Sequence, residues 1–279
     1  MLMTNISAAD VNKLRQMTGA GLMDCKKALM ETNGDFEAAI DYLRKKGAKI
    51  SEKRSDRDAS EGAVIAMTSA DASAGVIIEL NCETDFVAKN EGFVAVAKEI
   101  AEIALNNKPA DLEALKALPM GGATIAARLL DEMAKIGEKI DVSKYTLMTG
   151  TNVVSYIHGA NRMGVLVELS AAPTEANTVA GKDVAMQIAA MNPVAVDKSG
   201  VDASRIEREM EIGREQARAE GKPEAMIDKI AEGKLNKFFK ESTLLSQEFV
   251  KDSSKTVEKM LNDIESGLTV KQFTRVQLG

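Results

Sequence analysis

The sequence has few of the side chains that most enzyme active sites require. It contains one histidine, His158, two cysteines and no tryptophan, and aromatic residues account for 4% of its 279 positions. Cysteine and histidine do not occur at the spacing of a metal site. A GxxxxGK[ST] phosphate loop and a GxGxxG motif after a strand are also missing. We therefore expect neither a cofactor nor a bound metal ion.

The sequence also lacks the features of membrane, secreted and nucleic-acid-binding chains. No apolar run approaches the roughly 20 residues of a membrane helix, and the N-terminus has no basic segment followed by an apolar core. Cys25 and Cys82 lie far apart and are expected to be reduced thiols. The net charge of −6 at pH 7 argues against a broad phosphate-binding surface. We expect a cytoplasmic protein that binds neither membranes nor, directly, nucleic acid.

Helical patterns are present over residues 1–47 and predict three short helices. Ser7 and Asp10 have the spacing of a capping box, and Asp35 is placed to cap the third helix. Gly47 is expected to end that helix. The first helix carries an apolar stripe at helical spacing, formed by Val11, Leu14 and Met17.

An internal repeat makes up most of the remaining chain. The run "GVIIEL" begins at Gly75 and "GVLVEL" at Gly164, 89 residues later. Each run belongs to a predicted two-strand hairpin that leads through a connector into a helix, and each unit closes with a further helix and strand. The pattern predicts an α+β fold with a duplicated core of small antiparallel sheets and helices on one face. The predicted division is a three-helix module at 1–47, a charged linker at 48–61, core subdomain 1 at 62–149, the first part of core subdomain 2 at 150–201, a helical hairpin arm at 202–241 and the second part of core subdomain 2 at 242–279.

The segment 202–241 interrupts the second unit and is dense in Glu, Lys and Arg, with "EGKP" at its centre. A narrow apolar seam with charged flanks predicts an inserted antiparallel coiled-coil arm that stands away from the body. A helical pair packed flat on the core is the alternative. The seam residues are Ile206, Met210, Ala217, Ile227, Ile230, Ala231, Leu235 and Phe238.

The repeat acts as an internal control for the connector "NCETDFVAKNEG". Asp85 and Phe86 fall on Thr174 and Glu175 of the second unit, so the fold forms without an Asp–Phe pair at this place. His158 falls on a serine of the first unit. Structural interpretations remain open for each residue: a satellite-core phenylalanine, an aspartate that caps the following helix, and a histidine with a local hydrogen bond in a turn. Together the three favour a binding surface.

Three segments resemble the bacterial-type elongation factor Ts family. They are "VNKLRQMTGAGLMDCKKALMETNGDFEAAIDYLRKKG" at 11–47, "TDFVAKNEGF" at 84–93 and "HGANRMGVLVEL" at 158–169, and the resemblance extends over essentially the whole chain. It implies that residues 1–47 form a ubiquitin-associated-like three-helix module. One departure is that the chain stops at "FTRVQLG", where some family members continue into a C-terminal helix.

The resemblance implies a partner, elongation factor Tu in its GDP-bound and nucleotide-free states, and an activity, the exchange of its GDP for GTP without covalent chemistry. It also implies roles for three groups of residues. The first group binds the partner through the N-terminal module; it consists of Arg15, Leu22, Met23 and Lys26. The second disturbs the magnesium site of the partner; it consists of Thr84, Asp85, Phe86 and Val87. The third makes further partner contacts; it consists of Ile136, Gly137 and His158.

Two other classes of function stay open at this point. An enzyme could use Glu83 and Asp85 as an acid–base pair, and turnover of a small substrate by the isolated protein would support it. An RNA-binding protein could use the Arg- and Lys-bearing arm, with a steep salt dependence of its affinity. The acidic net charge and the absence of an aromatic stacking platform weigh against the RNA-binding class.

Overall fold

The computed structural model describes residues 6–54 and 56–279 and consists of helices and short strands. Its helices are α1 (Ala8–Thr18), α2 (Leu22–Glu31), α3 (Phe36–Lys53), α4 (Asp85–Ala88), α5 (Glu91–Asn107), α6 (Leu112–Ala117), α7 (Ile125–Ile136), α8 (Glu175–Met191), α9 (Ala203–Ala219), α10 (Ile227–Ser242) and α11 (Val257–Ile264). Its strands are β1 (Glu61–Thr68), β2 (Ala74–Cys82), β3 (Pro119–Met120), β4 (Ala123–Thr124), β5 (Asp141–Thr149), β6 (Asn152–His158), β7 (Met163–Leu169), β8 (Glu248–Phe249), β9 (Asp252–Thr256) and β10 (Val270–Gln277). Within these two described ranges, no helix combines the length and apolar character needed to cross a membrane.

The strands form small sheets within a chain that divides into two compact units. One sheet has the order β1-β2-β5 and another the order β10-β7-β6, and β3-β4 and β8-β9 form two-stranded pairs. Strands β6 and β7 are antiparallel, with His158 opposite Met163. The predicted α+β class with small antiparallel sheets is thus confirmed. The first unit contains the described residues up to Ile65, Ile77–Thr146 and Gln277–Gly279, and the second contains Ala66–Val76 and Leu147–Val276.

The repeat predicted from the sequence corresponds to matching elements. The hairpins β1–β2 and β6–β7 are followed by α5 and α8, and the closing helix and strand are α7 and β5 in one case and α11 and β10 in the other. Strand β2 is buried along its whole length, whereas β6 is buried over its first three residues and becomes more exposed towards His158. The short pairs β3–β4 and β8–β9 were not predicted, because strands of a few residues leave no periodic apolar pattern.

The first three helices form where the sequence predicted them. Ser7 and Asp10 complete a capping box: the Ser7 N–H donates to Asp10 Oδ2 at 3.2 Å, and the Asp10 N–H donates to Ser7 Oγ at 3.1 Å. Asp35 Oδ1 accepts a hydrogen bond from the Ala38 N–H at 3.0 Å at the start of α3. The helices enclose a small core formed by Val11, Leu14, Ala20, Cys25, Ala28, Leu29, Ala39 and Leu43. Met17, predicted to belong to this apolar stripe, is instead 56% exposed.

The predicted end of the third helix at Gly47 is wrong. Helix α3 continues through this residue to Lys53 and therefore includes the start of the predicted linker. Gly47 is buried, and a Cβ atom at this position would overlap the backbone carbonyl oxygen of Leu130 in α7. The glycine thus permits the close approach of two helices instead of ending one of them.

Helices α9 and α10 form the predicted antiparallel pair. The Arg205 guanidinium lies 5.5 Å from the ring centre of Phe238, and near the middle of the pair Gly213 lies against Ala231. A glycine at this place lets the two backbones approach closely, and the seam predicted from larger apolar residues did not include it. The coiled-coil character and the projection of the arm stay predictions.

Candidate partner-binding surface

The connector after strand β2 contains a short helix that the sequence did not predict. Thr84 caps this helix, α4, by accepting a hydrogen bond at Oγ1 from the Val87 N–H at 3.4 Å. Asn90 then caps α5, since its Oδ1 accepts from the Gly92 N–H at 2.8 Å. The interpretation of Asp85 as the cap of the following helix is therefore wrong. Asp85 is the first residue of α4, and its carboxylate pairs with Lys89 at 2.6 Å.

Phe86 points into solvent from α4. Its side chain is 84% exposed, the highest value among the large apolar side chains in the described part of the chain. Leaving a phenylalanine in water forgoes about 1.5–3 kcal/mol of hydrophobic stabilisation. The satellite-core interpretation of Phe86 is thus wrong, and the exposed aromatic is available to enter another molecule.

Two carboxylates fasten this connector to the turn after helix α7. Glu138 Oε2 accepts hydrogen bonds from the backbone N–H groups of Glu83 and Thr84, both at 3.0 Å, and Glu138 Oε1 accepts from the Thr84 hydroxyl at 2.7 Å. In return, Glu83 Oε1 accepts from the Lys139 N–H at 2.7 Å. Arg54 Nη1 donates to both oxygens of Glu83, at 2.6 and 2.7 Å. Glu138 is not predicted as a site residue from the sequence, because nothing local marks a contact between residues so far apart in the chain.

The same turn contains two of the residues expected to contact a partner. Helix α7 ends at Ile136, and Gly137 follows in the left-handed region at φ 83°, with its N–H donating to the Met133 carbonyl oxygen at 2.8 Å. This conformation favours glycine, and the residue after it is the Glu138 that binds the connector. The structure therefore brings Ile136 and Gly137 to the segment Thr84–Val87, which we call the Phe86 segment.

A second group of exposed side chains lies on the N-terminal helices of the same unit. Arg15, Leu22, Met23 and Lys26 are all exposed, and Met23 is 70% accessible to solvent. Met17 and Met30 of the same helices are exposed as well, and neither belongs to the predicted contact group. Unbranched, polarizable methionine side chains suit an adaptable protein contact.

His158 belongs to the second compact unit. It is the last residue of β6 and is exposed, and its Nδ1 lies 3.0 Å from the Tyr156 hydroxyl. This contact agrees with the local hydrogen bond considered from the sequence. Its expected role in partner binding stays a prediction.

The charges around Glu83 and Asp85 do not favour acid–base catalysis. Burial raises the pKa of Glu83, but the hydrogen bonds from the Lys139 N–H and Arg54 outweigh it, so the pKa of this carboxyl lies below its usual value. The hydrogen bond from Lys89 likewise lowers the pKa of Asp85. A general acid at neutral pH needs a raised pKa. In the described residues, no group of three or more His, Cys, Asp or Glu side chains is arranged to hold a metal ion.

The α+β scaffold displays a strongly exposed aromatic side chain, Phe86, and aromatic residues are enriched at protein–protein interfaces, so the arrangement fits the class of proteins that act by binding other macromolecules. The family model for Elongation factor TS matches residues 83–279. Proteins named Elongation factor Ts are 53% identical in Cytophaga hutchinsonii, over 99% of this chain and 100% of the relative, and 54% identical in Amoebophilus asiaticus, over 98% and 99%. A relative of the same name in Porphyromonas gingivalis is 46% identical over 98% of both chains. The chain therefore belongs to the elongation factor Ts family.

Proposed function

We propose that the chain is a guanine nucleotide exchange factor that binds elongation factor Tu during translation elongation. It binds the GDP-bound partner, weakens the hold on GDP, and stays bound to the nucleotide-free partner until GTP enters. Membership of the elongation factor Ts family supports this activity. The activity requires binding surfaces and no covalent chemistry.

The single observation that carries the mechanism is the exposure of Phe86 on a fastened connector. A GTPase holds GDP through backbone amides, a lysine and a magnesium ion. A bulky ring that enters between structural elements of the partner displaces the groups that hold this ion and the phosphates. Such a ring has to be exposed before binding, as Phe86 is, and it has to be held in place, as the hydrogen bonds of Glu138 to the connector provide. The Phe86 segment is thus the part of the chain that disturbs the magnesium site.

The other predicted contacts supply the binding energy that this displacement requires. If the factor weakens the binding of GDP to elongation factor Tu by a given ratio, bound GDP weakens the binding of the factor to elongation factor Tu by the same ratio. A 10⁴-fold effect corresponds to about 5.5 kcal/mol of differential affinity, which calls for an interface of at least the standard size of roughly 1,600 Å². The exposed group Arg15, Leu22, Met23 and Lys26 serves as a second contact surface, together with Ile136, Gly137 and His158.

The test is the release of a fluorescent GDP analogue from elongation factor Tu, followed by stopped flow with and without this protein. The proposed function predicts a faster release that saturates with the concentration of the factor. Phe86→Ala should lower the saturating rate by at least about tenfold, as expected for a binding hot spot. Val250→Ala, which removes an exposed apolar side chain from the second unit, is the matched control and should leave the rate unchanged. A release rate that the unmodified protein does not alter would overturn the proposal.

A further inference from the structure

The connector after β2 and the turn after α7 exchange hydrogen bonds in both directions. The carboxylate of Glu138 accepts from the backbone of residues 83 and 84, and the carboxylate of Glu83 accepts from the backbone of residue 139. Strand β2 ends at Cys82. The N–H groups of Glu83 and Thr84 lie beyond this end and donate to the side chain of Glu138. Backbone N–H groups that lose their acceptors in a partly buried place are costly. The connector therefore depends on these two side chains for its position.

Glu138 also acts on the helix that carries Phe86. The Thr84 hydroxyl donates to Glu138 Oε1 at 2.7 Å, and Thr84 Oγ1 itself accepts from the Val87 N–H to cap α4. A hydroxyl has one proton to donate and lone pairs with which to accept. Because Glu138 accepts the hydrogen bond from the Thr84 hydroxyl, a lone pair of Thr84 Oγ1 is directed at the first turn of α4.

We propose that Glu138 is a positioning residue, whose carboxylate fixes the direction in which α4 presents Phe86. This inference rests on the proposed function. Glu83, held by Arg54 Nη1 at 2.6 and 2.7 Å, completes the attachment from the connector side. Glu138 acts through hydrogen bonds to its own chain and need not touch the partner.

The experiment compares Glu138→Ala and Glu138→Gln with the unmodified protein. Alanine removes all three acceptor contacts, whereas glutamine keeps one oxygen for the two N–H groups, and the Thr84 hydroxyl can rotate to accept from the amide. Glu138→Ala should lower the saturating rate of GDP release by about tenfold, with a half-saturating concentration changed by less than about threefold because the other contacts remain. Glu138→Gln should restore most of the rate. Glu132→Gln is the matched control, since this buried glutamate pairs with Arg128 and Lys135 of its own helix.

A second measurement uses the free protein. Amide hydrogen exchange of a peptide that covers residues 83–87 should be faster in Glu138→Ala than in the unmodified protein, by about tenfold, and nearly normal in Glu138→Gln. Unchanged exchange in Glu138→Ala overturns the inference. It is also overturned if Glu138→Gln is as slow as Glu138→Ala in GDP release, or if only the half-saturating concentration changes, because the carboxylate would then meet the partner directly. A failure of the proposed function is seen separately, as an unmodified protein that does not accelerate GDP release.

Discussion

The connection from β2 to α5 in the first unit and the connection from β7 to α8 in the second unit join equivalent elements of the repeat. In the second unit Thr174 Oγ1 accepts from the Asn177 N–H at 3.1 Å, and α8 then runs without interruption over Glu175–Met191. In the first unit the helix is capped twice, by Thr84 and again by Asn90. The first connection thus contains a separate turn, α4, which carries the exposed aromatic side chain.

The interruption changes the face on which a phenylalanine lies. Phe86 and Phe93 are seven residues apart, a spacing that places two side chains on nearly the same face of a continuous helix. Phe93 is 3% exposed and packs in the core, whereas Phe86 is 84% exposed. Because Asn90 adopts an extended conformation at φ −69° and ψ 128°, α4 does not continue into α5. The break in the helix, more than the type of residue, accounts for the exposure of Phe86.

In each unit a glutamate after the closing helix binds the connection, but the two glutamates accept hydrogen bonds from different groups. In the second unit Glu265 Oε2 accepts from the side-chain amide of Asn177 at 2.9 Å, and Asn177 lies inside the first turn of α8. In the first unit Glu138 accepts from the backbone of Glu83 and Thr84, before α4 begins. The comparison indicates that the carboxylate of Glu138 holds the connector of the first unit in place, whereas in the second unit the residues from the equivalent of Phe86 onwards belong to the continuous helix α8.

The largest effect that separates the two phenylalanines concerns stability. Phe93→Ala should lower the free energy of unfolding by about 3–5 kcal/mol, because it removes a buried aromatic ring and leaves a cavity. Phe86→Ala should change it by less than about 1 kcal/mol, because the ring is already in water. Urea unfolding of the two variants beside the unmodified protein measures both changes. A Phe86→Ala protein that unfolds as easily as Phe93→Ala would place Phe86 in a core.

A smaller effect separates the two helix caps. Asn90→Ala and Thr174→Ala each remove one N-cap side chain and should each cost about 1 kcal/mol of stability. Only Asn90→Ala relaxes the break between α4 and α5, so it alone should slow stimulated GDP release, by roughly fivefold. Each variant thus serves as the control for the other, with thermal melting and stopped-flow release measured on the same preparations. Equal release rates for both variants would argue that the break does not position Phe86.

The sequence predicted the repeated elements well because their signals are local. Alternation and buried apolar runs marked the hairpins, and the capping box of Ser7 and Asp10 marked the start of α1. An exposed Phe86 is favoured by the repeat, where Glu175 occupies the equivalent position, and by the family resemblance. A duplicated sequence therefore helped to separate the needs of the fold from those of the candidate site.

The parts that the sequence did not predict depend on contacts between distant segments. Gly47 has the local appearance of a helix end, and its close approach to Leu130 is visible only in the folded chain. Glu138 lies 54 residues from Thr84, which it binds. The sequence predicts Asp85 as the cap where the structure has Thr84, because either residue type can accept from the N–H groups of a first turn.

The smallest predicted effect is a pH dependence that belongs to the first connection alone. The pKa of Glu83 lies below its ordinary value of 4.5, because hydrogen bonds from the Lys139 N–H and Arg54 outweigh the opposing effect of burial. A carboxyl with a lowered pKa in the folded state stabilises the fold above its unfolded pKa. This stabilisation is lost as the pH falls through the lower, folded-state pKa.

Glu83→Gln carries no titrating proton at this position, so its free energy of unfolding should fall less steeply between about pH 5 and pH 3. Urea unfolding of both proteins across this range measures the difference. The contributions of the other carboxylates to the pH dependence cancel, because these groups are common to the two proteins. The second unit has Ala172 where the first has Glu83, so hydrogen exchange of its connector should not differ between the two proteins at any pH. Parallel pH profiles for the unmodified protein and Glu83→Gln would mean that the ion pair with Arg54 does not hold the connector in solution.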